Sequence, residues 1–355
     1  TLLMKLKLDE DSRELLELDD EGKNIVQEKK PFKQNTFISK KLITLLLVLI
    51  VIFILFLFII KSKFVKRQNP FSKQINSGNM YPMRCKIQNY DWGKDSNTSL
   101  ITKILKANNQ EIDPSKKYAE FWMGTHIHGP SEILISNKYV PLRDYLSESK
   151  LKYLFKVLSV AKPLSIQLHP DKNRAKILHK NFPDKYSDEN HKPELFVVIS
   201  ETFELLLGLK SLNSAHDTLS LYKNSFNFLE AEKFLREKSV ENYLNFFNKM
   251  VSLEKEEYEK IIDGIQNEKS NEENNRLVSL FIDNFGTDLG ILVGLFMNHL
   301  TKKKGESLFI GPDFPHAYLK GDCYEVMSSS DNVIRLGLTP KFKDKKTFKE
   351  IVDDN

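Results

Sequence analysis

Cysteine is scarce: Cys85 and Cys323 are the only two in 355 residues. That is too few for a disulfide framework, and without a CxxC pair a cysteine-based metal site is excluded as well. A reducing compartment is therefore the default for the globular part. A large excess of one charge is also lacking. The formal net charge is +5 over the whole chain, with no arginine-rich stripe and no nucleic-acid motif, so no nucleic-acid partner is expected. No internal repeat is present. Long apolar runs are absent too, with one exception. Leu42 to Ile60 is 19 residues without a charge, nearly all Leu, Ile, Val and Phe. A bilayer core needs roughly 20 such residues. A cleavable signal would have a shorter apolar core nearer the N-terminus, and a buried core helix is seldom apolar on every face. The run therefore predicts a single transmembrane helix. Six lysines in the twenty residues before it are balanced by five basic residues in the twenty after it, so charge leaves its orientation open.

What is present divides the chain into stretches of distinct texture. Residues 1–41 are a mixed-charge tail, 42–60 the expected membrane span, and 61–82 a linker rich in Lys, Asn, Ser and Gln. From 83 to 210 short apolar runs alternate with turn signals, the pattern of β-strands. From 211 to 303 the texture turns helical, with Phe234, Leu235, Tyr243, Leu244 and Phe247 at near-helical spacing. The strand pattern resumes over 304–355. The reading is a mainly β domain interrupted by an α-helical insertion.

Four segments carry the chemistry. In Leu164–Pro170 strand alternation puts Ser165, Gln167 and His169 on one face, so Gln167 and His169 can reach one point in space. Alone, such a pair is as readily an exposed polar face. In Asn190–Glu194 the proline suits the first position of a strand, leaving Glu194 at the mouth of the apolar run Leu195 to Ile199. A carboxylate there needs a cation, either a metal or a nearby lysine. In Gly311–Glu325, His316, Tyr318 and Lys320 alternate onto one face between two turns. A single histidine there is as easily structural. Gln167, His169, Glu194 and His316 together form a mixed nitrogen and oxygen set suited to Zn²⁺ or another borderline divalent metal, provided a barrel unites their strands. In Ser330–Lys341, Arg335 lies in an otherwise apolar run, where a guanidinium requires an anion, either a ligand or a structural acid.

From about Met83 onward the chain resembles type I mannose-6-phosphate isomerase. The resemblance rests on QNYDWG (Gln88 to Gly93), YAEFWMGTH (Tyr118 to His126), HGPS (His128 to Ser131), PLRDYL (Pro141 to Leu146), LFKVLSV (Leu154 to Val160), LSIQLHPDK (Leu164 to Lys172), NHKPE (Asn190 to Glu194), PHAYLKGDCYE (Pro315 to Glu325) and SDNVIRLGLTPK (Ser330 to Lys341). It implies a cupin-type β-barrel (jelly roll) with a helical insertion. It implies one zinc per chain, held by Gln167, His169, Glu194 and His316. It also marks Arg335, Lys192 and Glu325 as lining the substrate site, with Lys156 and Ser165 nearby. Members of that family are soluble, lack a segment before Met83, and continue into a second cupin-like domain that this sequence does not include.

The reaction implied is aldose–ketose isomerisation of mannose 6-phosphate and fructose 6-phosphate through a cis-enediol, feeding GDP-mannose synthesis and mannose catabolism. Arg335 would hold the enediolate, and Glu325 or Lys192 would act as general base. The phosphate calls for cationic donors, for which Lys156, Lys172 and Lys192 are candidates; Tyr318 would also touch the substrate. The catalytic domain is expected on the cytosolic side, as a monomer anchored by residues 42–60. Two rivals are a membrane-tethered cupin that binds metal without turnover, and an iron cupin dioxygenase. The Gln-x-His pair disfavours the second.

Overall fold

The computed structural model describes residues 81–146, 151–268 and 271–354, together with a pair of two-residue antiparallel strands, Glu17–Leu18 and Asn24–Ile25. From Tyr81 onward these residues belong to one compact unit. Its ten-stranded sheet is built from β1 (Lys86–Gln88), β2 (Glu120–Met123), β3 (Tyr153–Val160), β4 (Ile166–Leu168), β5 (Glu194–Val198) and β6 (Thr202–Leu209). After the helical insertion come β7 (Met297–Lys303), β8 (Ser307–Ile310), β9 (His316–Ser328) and β10 (Ile334–Gly337). Every pairing among them is antiparallel, and the main path runs β7-β6-β9-β3-β2-β1.

The 13-residue strand β9 organises the ten-stranded sheet. Its first residues pair with β4 and β6, setting His316 opposite Gln167 and Leu207. Its last residues pair with β3 and β5, setting Glu325 opposite Lys156 and Phe196. Simple alternation would put His316 and Tyr318 on one face and Glu325 on the other. A register shift breaks that alternation: Leu205 faces Tyr318 while its neighbour Glu204 faces Lys320, next to Gly321. Gly321 has φ +131°, and a Cβ there would lie 2.6 Å from the Phe203 ring and 2.9 Å from the Thr202 carbonyl oxygen. Glycine adopts this conformation at no steric cost. Beyond it Glu325 comes to the Tyr318 side, and the Tyr318 hydroxyl reaches Glu325 Oε1 at 3.1 Å.

Helices are as prominent as strands. α1 (Leu100–Ala107) is capped by Ser99, and α2 (Lys172–Asn181) by Asp171, which accepts the Arg174 N–H. The insertion holds α3 (Leu212–Leu221), α4 (Leu229–Arg236), α5 (Val240–Val251), α6 (Lys255–Asn267), α7 (Glu272–Phe285) and α8 (Leu289–Leu295). α9 (Lys345–Asp354) follows β10. Side chains at helical spacing, including Phe234, Phe246, Phe247 and Phe281, are fully buried in one cluster with Ile166 and Leu168 of the sheet and Phe348 of α9. The insertion thus shares a core with the strand that carries Gln167.

Two expectations are corrected here. The described residues are not mainly β but mixed α/β, since helix takes 36% of them and strand 28%. Turn-bounded apolar runs located the strands, but the short capped helices between them and the six helices of the insertion outweigh them. The transmembrane helix is not supported: among the described residues no helix is long and apolar enough to cross a membrane. Leu42–Ile60 itself lies outside the described residues. An apolar run reports a preference for apolar surroundings and does not by itself establish a spanning helix.

α8 touches β10 backbone to backbone. A Cβ on Gly337 would lie 2.3 Å from Gly290 Cα, and Asp288 Oδ1 accepts the N–H groups of both Gly290 and Leu338 at 2.7 Å. Backbone cannot yield as a side-chain tip can. Gly337→Ala should therefore destabilise the fold by about 1–3 kcal/mol through overpacking. Urea unfolding would show this as a lower midpoint at unchanged slope.

Candidate metal centre and active site

Three prolines place the polar side chains at strand ends. Pro170 follows His169 after β4, Pro193 precedes Glu194 at the start of β5, and Pro315 precedes His316 at the start of β9. Proline lacks the N–H a ladder needs, so strands start or stop there. Pairing then brings the ends together. His169, Glu194 and His316 are 1%, 3% and 1% exposed, and one ligand atom from each lies within 4.8 Å of the others. His169 Nε2 is 3.1 Å from Glu194 Oε1, and His316 Nε2 is 3.4 Å from Oε2. Neither ring nitrogen makes a well-formed hydrogen bond, although both are buried.

The other ring nitrogens explain this. His169 Nδ1 is 2.9 Å from the Asn332 carbonyl, and His316 Nδ1 is 2.9 Å from the Phe314 carbonyl. A carbonyl only accepts, so each Nδ1 carries a proton, and in its neutral form each ring turns a bare Nε2 lone pair toward Glu194. Burial, reinforced by Lys192, lowers the His169 pKa to about 4 and keeps the ring neutral. Burial works against ionisation of Glu194, yet the Lys192 ammonium 3.4 Å away holds its carboxyl below the usual range. Two lone pairs and a carboxylate converging in a dry pocket are the donor set of a divalent metal. Gln167 faces both His316 and Arg335 across the ladder, and its Oε1 accepts the Ser165 hydroxyl at 2.9 Å, so it can supply a further oxygen.

Beside this centre lies a buried charge network. Lys156 Nζ is 3.2 Å from Glu325 Oε2 and 3.6 Å from Glu120 Oε2. It also stands 5.3 Å from the centre of the Trp122 ring, whose N–H donates to Glu120. Burial alone would lower the Lys156 pKa, but Glu120, Glu325 and Glu194 outweigh it and leave the amine protonated. Burial and Glu194 raise the Glu325 carboxyl above the ordinary value. The Tyr318 hydroxyl is 3.1 Å from Glu325 and 3.3 Å from Glu194, bridging the network to the centre. Lys192 Nζ is 3.4 Å from Glu194.

Against this geometry stand the comparisons with known proteins. The family model for the type I phosphomannose isomerase catalytic domain matches residues 80–212. A probable mannose-6-phosphate isomerase of Caenorhabditis elegans is 34% identical over 295 residues, covering 76% of this chain and 70% of the relative. The chain belongs to the type I phosphomannose isomerase family. Mannose-6-phosphate isomerase 1 of Arabidopsis thaliana is 37% identical over 299 residues, 75% of this chain and 69% of that protein. Among solved structures, a mutant phosphomannose isomerase from Salmonella typhimurium superposes with TM-score 0.68 at 27% identity, over 77% of this chain and 74% of the other. A zinc-bound mannose 6-phosphate isomerase superposes with TM-score 0.65 at 26% identity, over 76% and 73% of the two chains.

For this phosphomannose isomerase family member, most side chains singled out in the sequence meet at one place, with two differences. Lys156 and Lys192, considered for the phosphate, are tied to carboxylates. Lys172 lies exposed on the first turn of α2, with no described contact to the cluster. Arg335, by contrast, has no acidic partner among the described residues, and burial lowers its pKa. Two residues of the site were missed. Glu120 was legible, since it shares a strand face with Trp122 in YAEFWM. Lys341, whose pKa is lowered by burial and by Arg335, sits after a proline in a loop and gave no signal.

Proposed function

We propose that the chain interconverts D-mannose 6-phosphate and D-fructose 6-phosphate through a cis-enediol, with one zinc ion held by Gln167, His169, Glu194 and His316. The observation that carries this reading is the convergence of two proton-free imidazole nitrogens on a buried carboxylate, beside a guanidinium without an acid partner among the described residues. When bound, the metal supplies a Lewis acid for the charge that builds on the substrate oxygen. The protein's own groups do the rest. Arg335, with no acid partner among the described residues, offers its fork to the enediolate. Glu325 carries the proton between C2 and C1. Its raised pKa makes it a stronger base than an ordinary carboxylate, and protonated Lys156 beside it stabilises the carboxylate when it forms. Lys192 offsets the charge of Glu194, while Tyr318 and Ser165 hold Glu325 and Gln167 in place. Lys341, at the rim beside Arg335, is the cation available to the phosphate. The products would feed GDP-mannose synthesis in one direction and mannose catabolism in the other.

The test pairs metal analysis with turnover. The purified chain should contain about one zinc and form fructose 6-phosphate from mannose 6-phosphate in a coupled assay. Prolonged chelation should abolish turnover, and added Zn²⁺ should restore it. Full activity in a metal-free preparation would refute the reading.

A further inference from the structure

Asp188 lies outside the metal centre, in the segment leading to β5, yet it gathers the turn that precedes β10. The Ser330 hydroxyl donates to its Oδ1 at 2.9 Å and lies 3.2 Å from Oδ2. The Asp331 N–H donates to Oδ2 at 2.9 Å, and the Asn190 N–H to Oδ1 at 2.8 Å. The Asn332 amide nitrogen is 3.3 Å from Oδ1 and donates to the Asp188 backbone carbonyl at 2.6 Å and to that of Asn190 at 3.0 Å. Ser330 and Asn332 are 2% and 0% exposed. One carboxylate thus serves a hydroxyl and backbone donors from two chain segments, and charged acceptors make the stronger hydrogen bonds.

The turn held in this way has two outputs. Its Asn332 carbonyl receives the His169 Nδ1–H at 2.9 Å, the contact that leaves Nε2 bare. Its Asp331 carboxylate stands 3.4 Å from both His126 Nε2 and His128 Nε2. We infer that Asp188 is a positioning residue for the metal centre, which orients His169 through Ser330 and Asn332 without touching metal or substrate. The inference rests on the metal reading above. Simple loop closure would also use a carboxylate here, but it would not require the Asn332 carbonyl to meet a ligand histidine. Groups that orient ligand histidines typically set metal affinity by about 10–100-fold.

The test compares zinc affinity, measured by chelator competition on the full chain, for Asp188→Ala and Asp188→Asn. Asp188→Ala should weaken zinc binding by about 10–100-fold. Asp188→Asn keeps one acceptor oxygen and should lose about tenfold, the lower end of that range. It also carries the test if the alanine variant does not fold. In the zinc-loaded wild type the His169 Nδ1–H should give a slowly exchanging proton resonance, and Asp188→Ala should lose it. Asp322→Asn is the structural control. Asp322 accepts Lys94 at 2.6 Å and Ser159 at 2.5 Å, away from the centre, so its loss should lower Tm and spare zinc affinity. Zinc affinity within threefold of wild type in both Asp188 variants would overturn the inference, as would an equal zinc loss in the control at equal Tm. If the wild type binds zinc and the variants match it, this inference alone falls. If the wild type takes up no zinc, the metal reading falls with it.

Discussion

His316→Ala is expected to lower kcat/KM by about 10³–10⁴-fold, equivalent to about 4–5.5 kcal/mol of transition-state stabilisation. The variant loses an imidazole whose Nε2 has no other use: it is buried, makes no hydrogen bond, and faces Glu194. The remaining Gln167, His169 and Glu194 would leave a coordination position to solvent and hold the ion weakly. Zinc content after gel filtration should fall along with turnover. The fold should persist, because His316 opens β9 and its backbone pairing with Gln167 and Leu207 does not depend on the ring. A variant that keeps one zinc and full turnover would remove His316 from the centre.

Arg335→Ala is expected to lower kcat by about 10²–10³-fold, the usual effect of deleting a donor aimed at developing charge. Zinc content should not change. Stability is the informative control. Arg335 is partly buried, and no acid pairs with it among the described residues, so truncation leaves no carboxylate orphaned. The Tm should therefore hold or rise, whereas loss of a structural ion pair would lower it. Arg335→Lys should recover little, since a point charge replaces a planar fork. Unchanged kcat in the alanine variant would take Arg335 out of the mechanism, and a large drop in Tm would return it to a structural role.

Much of the site was legible because strand alternation is a local rule. In Leu164–Pro170 it put Gln167 and His169 on one face, and in the structure Gln167 faces His316 while His169 meets Glu194. Pro193 marked the start of β5 and left Glu194 at its mouth. The same rule reached its limit at Gly321. Alternation through β9 separates Tyr318 from Glu325, and the register shift between Tyr318 and Lys320, beside that glycine, brings them together. The helical insertion showed in its apolar spacing, although its share of the fold was underestimated. Whether Arg335 faces a ligand or a structural acid could not be read locally, because the answer depends on what the neighbouring strands carry.

The sequence by itself determined which side chains have metal-binding chemistry, which strand faces carry them, and where prolines end the strands. These properties depend on residue type and near neighbours. The tertiary structure alone decided that His169, Glu194 and His316, from segments up to 147 positions apart, bring one donor atom each within 4.8 Å of the others. It also decided that Lys156 and Lys192 are paired while Arg335 has no acid partner among the described residues, and that Asp188 reaches His169 through Asn332. The physical reason is that strand register across the sheet, not spacing along the chain, sets which buried polar atoms find partners. An unpaired atom in a dry interior is stable only where a ligand or ion completes it.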